Sequence, residues 1–233
     1  MSYVKRIVCL ANSYKTGGLC IAGREMVQNG VGGWIRPVTG MERGVLNYER
    51  FCSNSNGRDP RLLDLIAIEF LVPQPHPYQT ENHRIDPCKR WVHRGHVRWQ
   101  QLVDAVERPT GPLWANDDSS RNGVNDVVSE QHALVLQRSL ILVQPEELIL
   151  TISIENKGGF GEMRRRIRGE LSLANCRYVL SVTDSRIEHE FSTCGPREER
   201  LYRKPILCVS LSEILASQRA CYKLIAGVIP TGM

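Results

Sequence analysis

Trp34 and Arg36 lie two residues apart in GGWIRPVTG (32–40), so they share one face if this segment is an extended strand. An indole offers a surface on which a base can stack, and a guanidinium can contact a phosphate. Lys15, in the preceding hairpin, and Arg24, on the neighbouring strand, would add positive charge. The residue types equally allow Trp34 to fill the core while Arg36 pairs with an acid such as Glu25.

A second group of cations lies in KGGFGEMRRRIRGE (157–170), which resembles a hairpin with Lys157 and Phe160 near its tip. On a strand, Arg164, Arg166 and Arg168 share one face at intervals of about 7 Å. That interval is close to the spacing of successive phosphates on a nucleic-acid strand. The same pattern is also typical of an edge strand that charge protects from aggregation, and the sequence leaves both interpretations open.

The polar segment QTENH (79–83) offers Gln79, Glu81 and Asn82, whose amide and carboxylate groups could read a base edge. They could instead hold a connecting segment in place through hydrogen bonds to the backbone. Three prolines just upstream, at 73, 75 and 77, favour the structural role.

Motifs for catalysis are absent from the sequence. It contains no GxxxxGK[ST], GxSxG or HExxH pattern. Cys88, His93 and His96 lack a spaced partner pair for zinc, and TDSRIEHE (183–190) is better explained as a strand-ending turn than as an acid–base cluster. We therefore expect no catalytic residue, no metal and no cofactor.

Charge and composition indicate an ordinary folded protein with basic ends. The 233 residues carry a net charge of +5, and 42% of them are hydrophobic. Lys and Arg outnumber Asp and Glu by 9 to 6 in residues 1–73 and by 14 to 11 in residues 137–233, whereas the middle has 7 against 8. No apolar run resembles a signal peptide or a membrane span, so we expect a cytoplasmic protein whose eight cysteines are free thiols.

Runs of alternating and β-branched residues predict strands in two blocks separated by a proline-rich, polar stretch. This pattern predicts a mainly β protein with two tandem OB-like β-barrels, at residues 1–73 and 137–233. An irregular, partly helical connector is expected at 74–136, with an amphipathic helix near 98–107. In the second block, Tyr178 is a further candidate for base stacking, and Lys223 is expected to be exposed opposite Tyr222.

The motifs LANSYKTGGLCIAG (10–23), WIRP (34–37), QTEN (79–82), RYVLSVTD (177–184) and CYKLIAGVI (221–229) resemble those of the bacterial dual-OB-domain family, DuOB. The resemblance extends over nearly the whole chain and implies two tandem OB-like barrels. It also implies a role in prokaryotic defence or conflict systems, by contact with nucleic acid and alongside a separate effector protein.

These observations predict a non-catalytic nucleic-acid-binding accessory or sensor protein of a prokaryotic defence system. One alternative is a protein-interaction module that docks or restrains an effector or a phage protein, because OB barrels serve that role too. Another is a small-nucleotide sensor. The sequence does not distinguish DNA from RNA, or single strands from duplex.

Overall fold

The chain forms two compact units that are both made mainly of β-strands. The computed structural model describes residues 2–15, 18–28, 30–40, 59–156, 163–195 and 199–233. The first unit comprises residues 1–106, 135–140 and 232–233, and the second comprises residues 107–134 and 141–231. The predicted fold class, mainly β with two OB-like units, is confirmed.

Six strands and a short 3₁₀ helix form the described part of the first unit. They are β1 Tyr3–Lys15, β2 Gly18–Val27, β3 Gly30–Val38, β4 Asp64–Pro73, β5 Asn82–Ile85, β6 Val92–His96 and the 3₁₀ helix Trp99–Ala105.

Strand β1 closes the first unit into a barrel because its two halves pair with different neighbours. Residues 3–8 pair with β4, and residues 7–15 pair with β2. A register shift between Cys9 and Ala11 lets the strand bend between these partners. The circuit β1-β2-β3-β5-β4-β1, with β3 and β5 parallel, is that of a five-stranded OB barrel. Strand β6 pairs with β4 outside this circuit.

The second unit contains eight strands and two short helices among its described residues. They are β7 Val127–Ser129, α1 Glu130–Leu134, β8 Leu140–Val143, β9 Glu147–Asn156, β10 Met163–Leu173, β11 Cys176–Val182, α2 Ser185–Glu190, β12 Glu199–Arg203, β13 Ile206–Leu211 and β14 Ala220–Ile229.

The sheet of the second unit repeats the topology of the first with its first strand divided. The order β9-β10-β11-β14-β13 corresponds to β1-β2-β3-β5-β4, and β11 and β14 are parallel like β3 and β5. Strand β8 lies next to β13 and β9 lies next to β10. Together they occupy the position of β1, which pairs with both β4 and β2 in the first unit. Pro145 separates β8 from β9, and a proline has no N–H to donate to a ladder.

Side chains along β9 and β10 alternate between the core of the second unit and its outer face. Leu148, Leu150 and Ile152 on β9 point into the core, and Ile167 and Leu171 on β10 join them. Because successive side chains of a strand point to opposite faces, this leaves the even-numbered residues of β10, from Arg164 to Glu170, on the outer face.

Part of the predicted connector fills the space between β11 and β14, whose parallel pairing covers only two positions. Val124 exchanges two backbone hydrogen bonds with Val179, at 3.1 and 3.2 Å, and β7 pairs with β14. Segment 107–134 therefore extends the sheet of the second unit.

The segment predicted as a connector, 74–136, is thus divided between the units. Its first part supplies β5, which is a strand of the first barrel. The prolines at 73, 75 and 77 do not prevent the pairing of β5, because they lie before Asn82, where the strand begins. The amphipathic helix expected near 98–107 is the 3₁₀ helix, and residues 216–219 form a turn that leads into β14.

Among the described residues, no helix is both long and apolar enough to span a lipid bilayer.

Candidate functional site

The stacking surface predicted at Trp34 is occupied by the protein itself. Arg24 and Trp34 are cross-strand partners on β2 and β3, and the guanidinium carbon of Arg24 lies 5.3 Å from the centre of the indole. The Nε of Arg24 donates a hydrogen bond to the carbonyl of Gly32 at 2.5 Å. Trp34 is only 9% exposed. Trp34 and Arg24 therefore pack on each other in this structure, and the indole is closed to a base.

Arg36, predicted to contact phosphate, is instead buried in an ion pair. Its Nη2 lies 3.3 Å from Oε1 of Glu81 and donates to the hydroxyl of Ser139 at 2.9 Å. The Ser139 hydroxyl in turn donates to Glu81. All three residues are less than 9% exposed. The earlier alternative, that Arg36 pairs with an acid, fits this geometry, but the acid is Glu81, since Glu25 pairs with Lys5 at 2.7 Å.

The QTEN segment forms the other side of this buried network. Gln79 and Asn82 are buried with Glu81, and the backbone N–H of Arg36 donates to the carbonyl of Glu81 at 2.8 Å. Parallel pairing of β3 with β5 produces the contact, because it places Arg36 opposite Asn82. These side chains hold β5 against β3, and their burial leaves them closed to a base edge.

Arg168 is neutralised by neighbouring acids on the outer face of the second unit. Its Nε and Nη2 donate to the two carboxylate oxygens of Glu155 on β9, both at 2.9 Å. Burial would raise the pKa of Glu155, but the hydrogen bonds from Arg168 and Ser153 outweigh burial and lower this pKa to about 2. Arg168 therefore stays paired at neutral pH, which corrects its predicted role as a phosphate contact.

Arg164 and Arg166 lie on the same face of β10 but have no such partner. Neither side chain forms a hydrogen bond or an ion pair within the part of the chain that the structure describes. Partial burial and then the charges of Arg164 and Arg168 lower the pKa of Arg166. These three residues form the β10 arginine face (Arg164, Arg166 and Arg168), in which two of the three guanidinium groups have no ion-pair partner among the described residues.

The carboxyl group of Glu188 on α2 lies near enough to respond to both unpaired arginines, and that of Glu155 also acts on Arg166. Burial raises its pKa, and the positive charges of Arg164 and Arg166 act in the opposite direction. Arg165 points to the other side of β10, where its Nη1 donates to the carbonyl of Phe191 at 2.7 Å just beyond the end of α2. The unpaired charge of β10 thus lies on alternate residues, on one face of this strand.

Four further predicted residues give no geometry for a site. Lys157 and Phe160 lie outside the described residues, and Lys15 ends β1 opposite Gly18. Tyr178 is fully buried, and its hydroxyl accepts a hydrogen bond from the N–H of Leu113 at 2.9 Å. The alternative that Tyr178 stacks on a base is therefore wrong for this structure.

Lys223 is a buried cation for which the sequence predicted exposure. Its Nζ donates to Oδ1 of Asn116 at 2.6 Å and to the carbonyl of Asn125 at 2.8 Å, and it lies 5.1 Å from the ring centre of Tyr178. Burial lowers the pKa of Lys223 to about 8, although Asp117 and Asp126 oppose this shift. Residues from 116 to 125 cover this lysine, and no local pattern in the sequence shows that contact.

Asp184 has a structural role. It caps the N-terminus of α2, because its Oδ1 accepts hydrogen bonds from the N–H groups of Arg186 and Ile187, at 2.9 and 3.3 Å. Its Oδ2 accepts from the N–H of Val228 at 2.8 Å. This geometry agrees with a turn at the end of β11 and leaves no carboxylate oxygen of Asp184 for acid–base chemistry.

A pocket of about 600 Å³ lies in the second unit beside β9, β10 and β12. Its charged lining residues are already paired: Glu147 with Arg203 at 2.7 Å, Glu146 with Lys204 at 3.4 Å, and Glu170 with Arg177 outside the pocket at 2.7 Å. The pocket therefore offers a ligand less unpaired charge than the β10 arginine face does.

A family model described as a dual OB-containing domain matches residues 5–228, a range that includes most of both units. No curated protein and no solved structure matches the chain.

Proposed function

Since the chain belongs to the dual OB-containing domain family, we propose that it binds nucleic acid without catalysis, through the β10 arginine face of its second unit. The observation that carries this proposal is that neither Arg164 nor Arg166 forms an ion pair or a hydrogen bond among the described residues, although Glu188 lies near enough to act on both. The ligand that such a face fits is a phosphodiester backbone, because guanidinium groups bind phosphate oxygens in bidentate geometry.

Other arginines of the same unit show that this lack of pairing is selective. Arg177 pairs with Glu170 at 2.7 Å, Arg203 with Glu147 at 2.7 Å, and Arg219 with Glu130 at 2.8 Å. A strand kept soluble by charge alone would be served equally well by paired charges. Two adjacent unpaired guanidiniums raise the local positive potential, which favours a polyanion.

The position of the face in the fold supports the same ligand. OB barrels bind oligonucleotides on the surface of their second and third strands. In the second unit these strands are β10 and β11, by correspondence with β2 and β3 of the first unit. Arg164 and Arg166 therefore lie on the strand where an OB barrel offers its binding surface.

The mode of binding that this geometry favours is electrostatic. Trp34 and Tyr178, two of the predicted stacking residues, are buried. We therefore expect strong dependence on salt and weak preference for sequence, because phosphate contacts carry no sequence information.

The test is fluorescence anisotropy with single-stranded and duplex oligonucleotides of DNA and RNA across a salt series. We expect the Arg164→Gln/Arg166→Gln variant to bind less tightly. Its slope of log K against log salt should fall by roughly 1.4 on single strands, that is about 0.7 for each lost phosphate contact. The matched control is Arg203→Gln/Arg219→Gln, which removes two charges that are already paired. Equal losses in both variants would contradict the proposal.

The wider role that we propose, an accessory or sensor protein of a prokaryotic defence system, is motivated by the motifs shared with DuOB proteins. A second candidate is a protein-interaction module. It is favoured by two exposed apolar side chains, Ile154 on β9 and Met163 on β10, which are 48% and 59% exposed. A pull-down with and without nuclease separates the two, because a protein partner that survives nuclease supports the interaction module.

A further inference from the structure

A second run of cations surrounds β6 in the first unit, where the sequence showed only a neutral middle region. Residues 88–103 contain Lys89, Arg90, Arg94 and Arg98 and no acid. The region 74–136 has 7 cations and 8 acids in total, so this run was hidden in the average. We name these four residues the β6 basic strip.

All four side chains of the strip are exposed. Within the ranges that the structure describes, none of them forms an ion pair. Asp86 and Asp104, the acids at the two ends of the run, form no ion pair with the strip among the described residues. Asp64 lies 3.3 Å from Nε2 of His93 and 3.5 Å from Nδ1 of His96, and Asp86 accepts a hydrogen bond from the N–H of Cys88 at 2.9 Å. The strip therefore keeps its positive charge.

A β-bulge sets the direction of Arg94. Leu65 pairs with Gly95 and Ile66 pairs with His93, so Arg94 is an extra residue that has no partner on β4. Gly95 has a φ of 132°, which residues with a Cβ rarely adopt. Bulges re-aim side chains, and here the bulge exposes Arg94 at the end of the sheet.

We propose that the β6 basic strip is a second contact surface for nucleic acid, which binds phosphate groups in the first unit as the β10 arginine face does in the second. This inference rests on the proposed function, because it takes the same class of ligand. The strip differs from the β10 arginine face in its position in the fold. It lies on a terminal strand outside the barrel circuit, and its cations flank that strand on both sides.

The principal competing explanation is that the charges protect a sheet edge. Edge strands often carry Lys and Arg to prevent pairing with another chain. That explanation predicts that neutral substitutions promote self-association and leave the affinity for nucleic acid unchanged. The proposal predicts that the same substitutions lower the affinity for nucleic acid and reduce its dependence on salt. It also predicts that the variant is as monodisperse as the wild type.

The experiment compares four full-length proteins under identical conditions: the wild type, Arg90→Gln/Arg94→Gln, Arg164→Gln/Arg166→Gln, and the control Arg203→Gln/Arg219→Gln. Each variant lowers the net charge by two. Anisotropy with single-stranded and duplex oligonucleotides gives the affinity and the salt slope. Size-exclusion chromatography and thermal unfolding show whether each variant remains folded and unassociated.

For Arg90→Gln/Arg94→Gln we expect a salt slope on single strands that is smaller than the control's by roughly 1.4, or about 0.7 for each phosphate contact. A slope and affinity equal to the control's would overturn the inference, whatever the β10 variant does. A loss in the strip variant without a loss in the β10 variant would overturn the proposed binding face and leave the strip in place.

Competition by polyglutamate of matched charge tests the class of ligand. Displacement of the oligonucleotide only at much higher polyglutamate concentrations supports phosphate recognition. Equal potency would overturn the assignment to nucleic acid and indicate an acidic protein surface as the partner.

Discussion

Individual cations in this protein differ in their partners more than in their residue type. Arg36 is buried against Glu81, Arg168 is held by Glu155, and Arg164 and Arg166 form no ion pair among the described residues. All four were equivalent candidates in the sequence. What separates them is cross-strand geometry, which places an acid within reach of some guanidiniums and not of others.

Lys223 gives a prediction about pH at the scale of one residue. Its pKa is about 8 in the folded protein and 10.5 in an unfolded chain. Below pH 8 the lysine is charged in both states, and burial of that charge disfavours folding. Between pH 8 and 10.5 the unfolded chain binds more protons than the native protein, so the free energy of unfolding rises with pH.

We therefore expect the free energy of unfolding of the wild type, relative to Lys223→Met, to rise by about 2–3 kcal/mol between pH 8 and pH 10.5. Urea denaturation of both proteins across this range measures it. The contributions of groups that titrate in both proteins cancel in this difference. Parallel pH profiles would show that Lys223 keeps an ordinary pKa.

The pair of Arg36 and Glu81 gives a second prediction at this scale. Glu81→Gln leaves the buried guanidinium without its counter-charge, which should cost about 3 kcal/mol or more in unfolding free energy. Replacement of both residues by methionine removes both charges and should cost less than the single change. Chemical denaturation of the two variants checks this order, and the reverse order would contradict a buried ion pair.

At the scale of secondary-structure elements, one carboxylate joins a helix to a strand. Asp184 accepts hydrogen bonds from the first turn of α2 and from Val228 on β14. Asp184→Ala leaves a buried N–H unsatisfied in addition to the lost cap, so we expect a loss of about 2–4 kcal/mol. Asp184→Asn keeps an acceptor oxygen and should cost less. Equal unfolding midpoints for the two variants would show that the bond to Val228 contributes nothing.

The strands themselves were largely predictable, because alternation along segments such as LILTISIE marks one buried face. Strand β5 was not, because the prolines at 73, 75 and 77 indicated an irregular segment and the four residues of β5 are too short to show a period. That omission also hid the role of Glu81, since only the parallel pairing of β3 with β5 brings Arg36 to it.

At the scale of the whole molecule, two OB-like units were predictable, but the division of the chain between them was not. Position in sequence assigned residues 74–136 to neither barrel, whereas pairing assigns part of them to each. The burial of Lys223 has the same origin. The residues that cover it lie about 100 positions earlier in the chain, and a local pattern carries no information about a contact so distant.

The unit boundaries have a consequence for how this protein can be dissected. The chain leaves the first unit after residue 106, returns at 135 and leaves again after 140. No single cut leaves both units whole, because a cut after residue 106 removes 135–140 from the first unit and a cut after residue 140 removes 107–134 from the second. A fragment that ends at residue 106 should therefore aggregate, because it lacks 135–140, whereas residues 107–231 include the whole second unit in one continuous stretch.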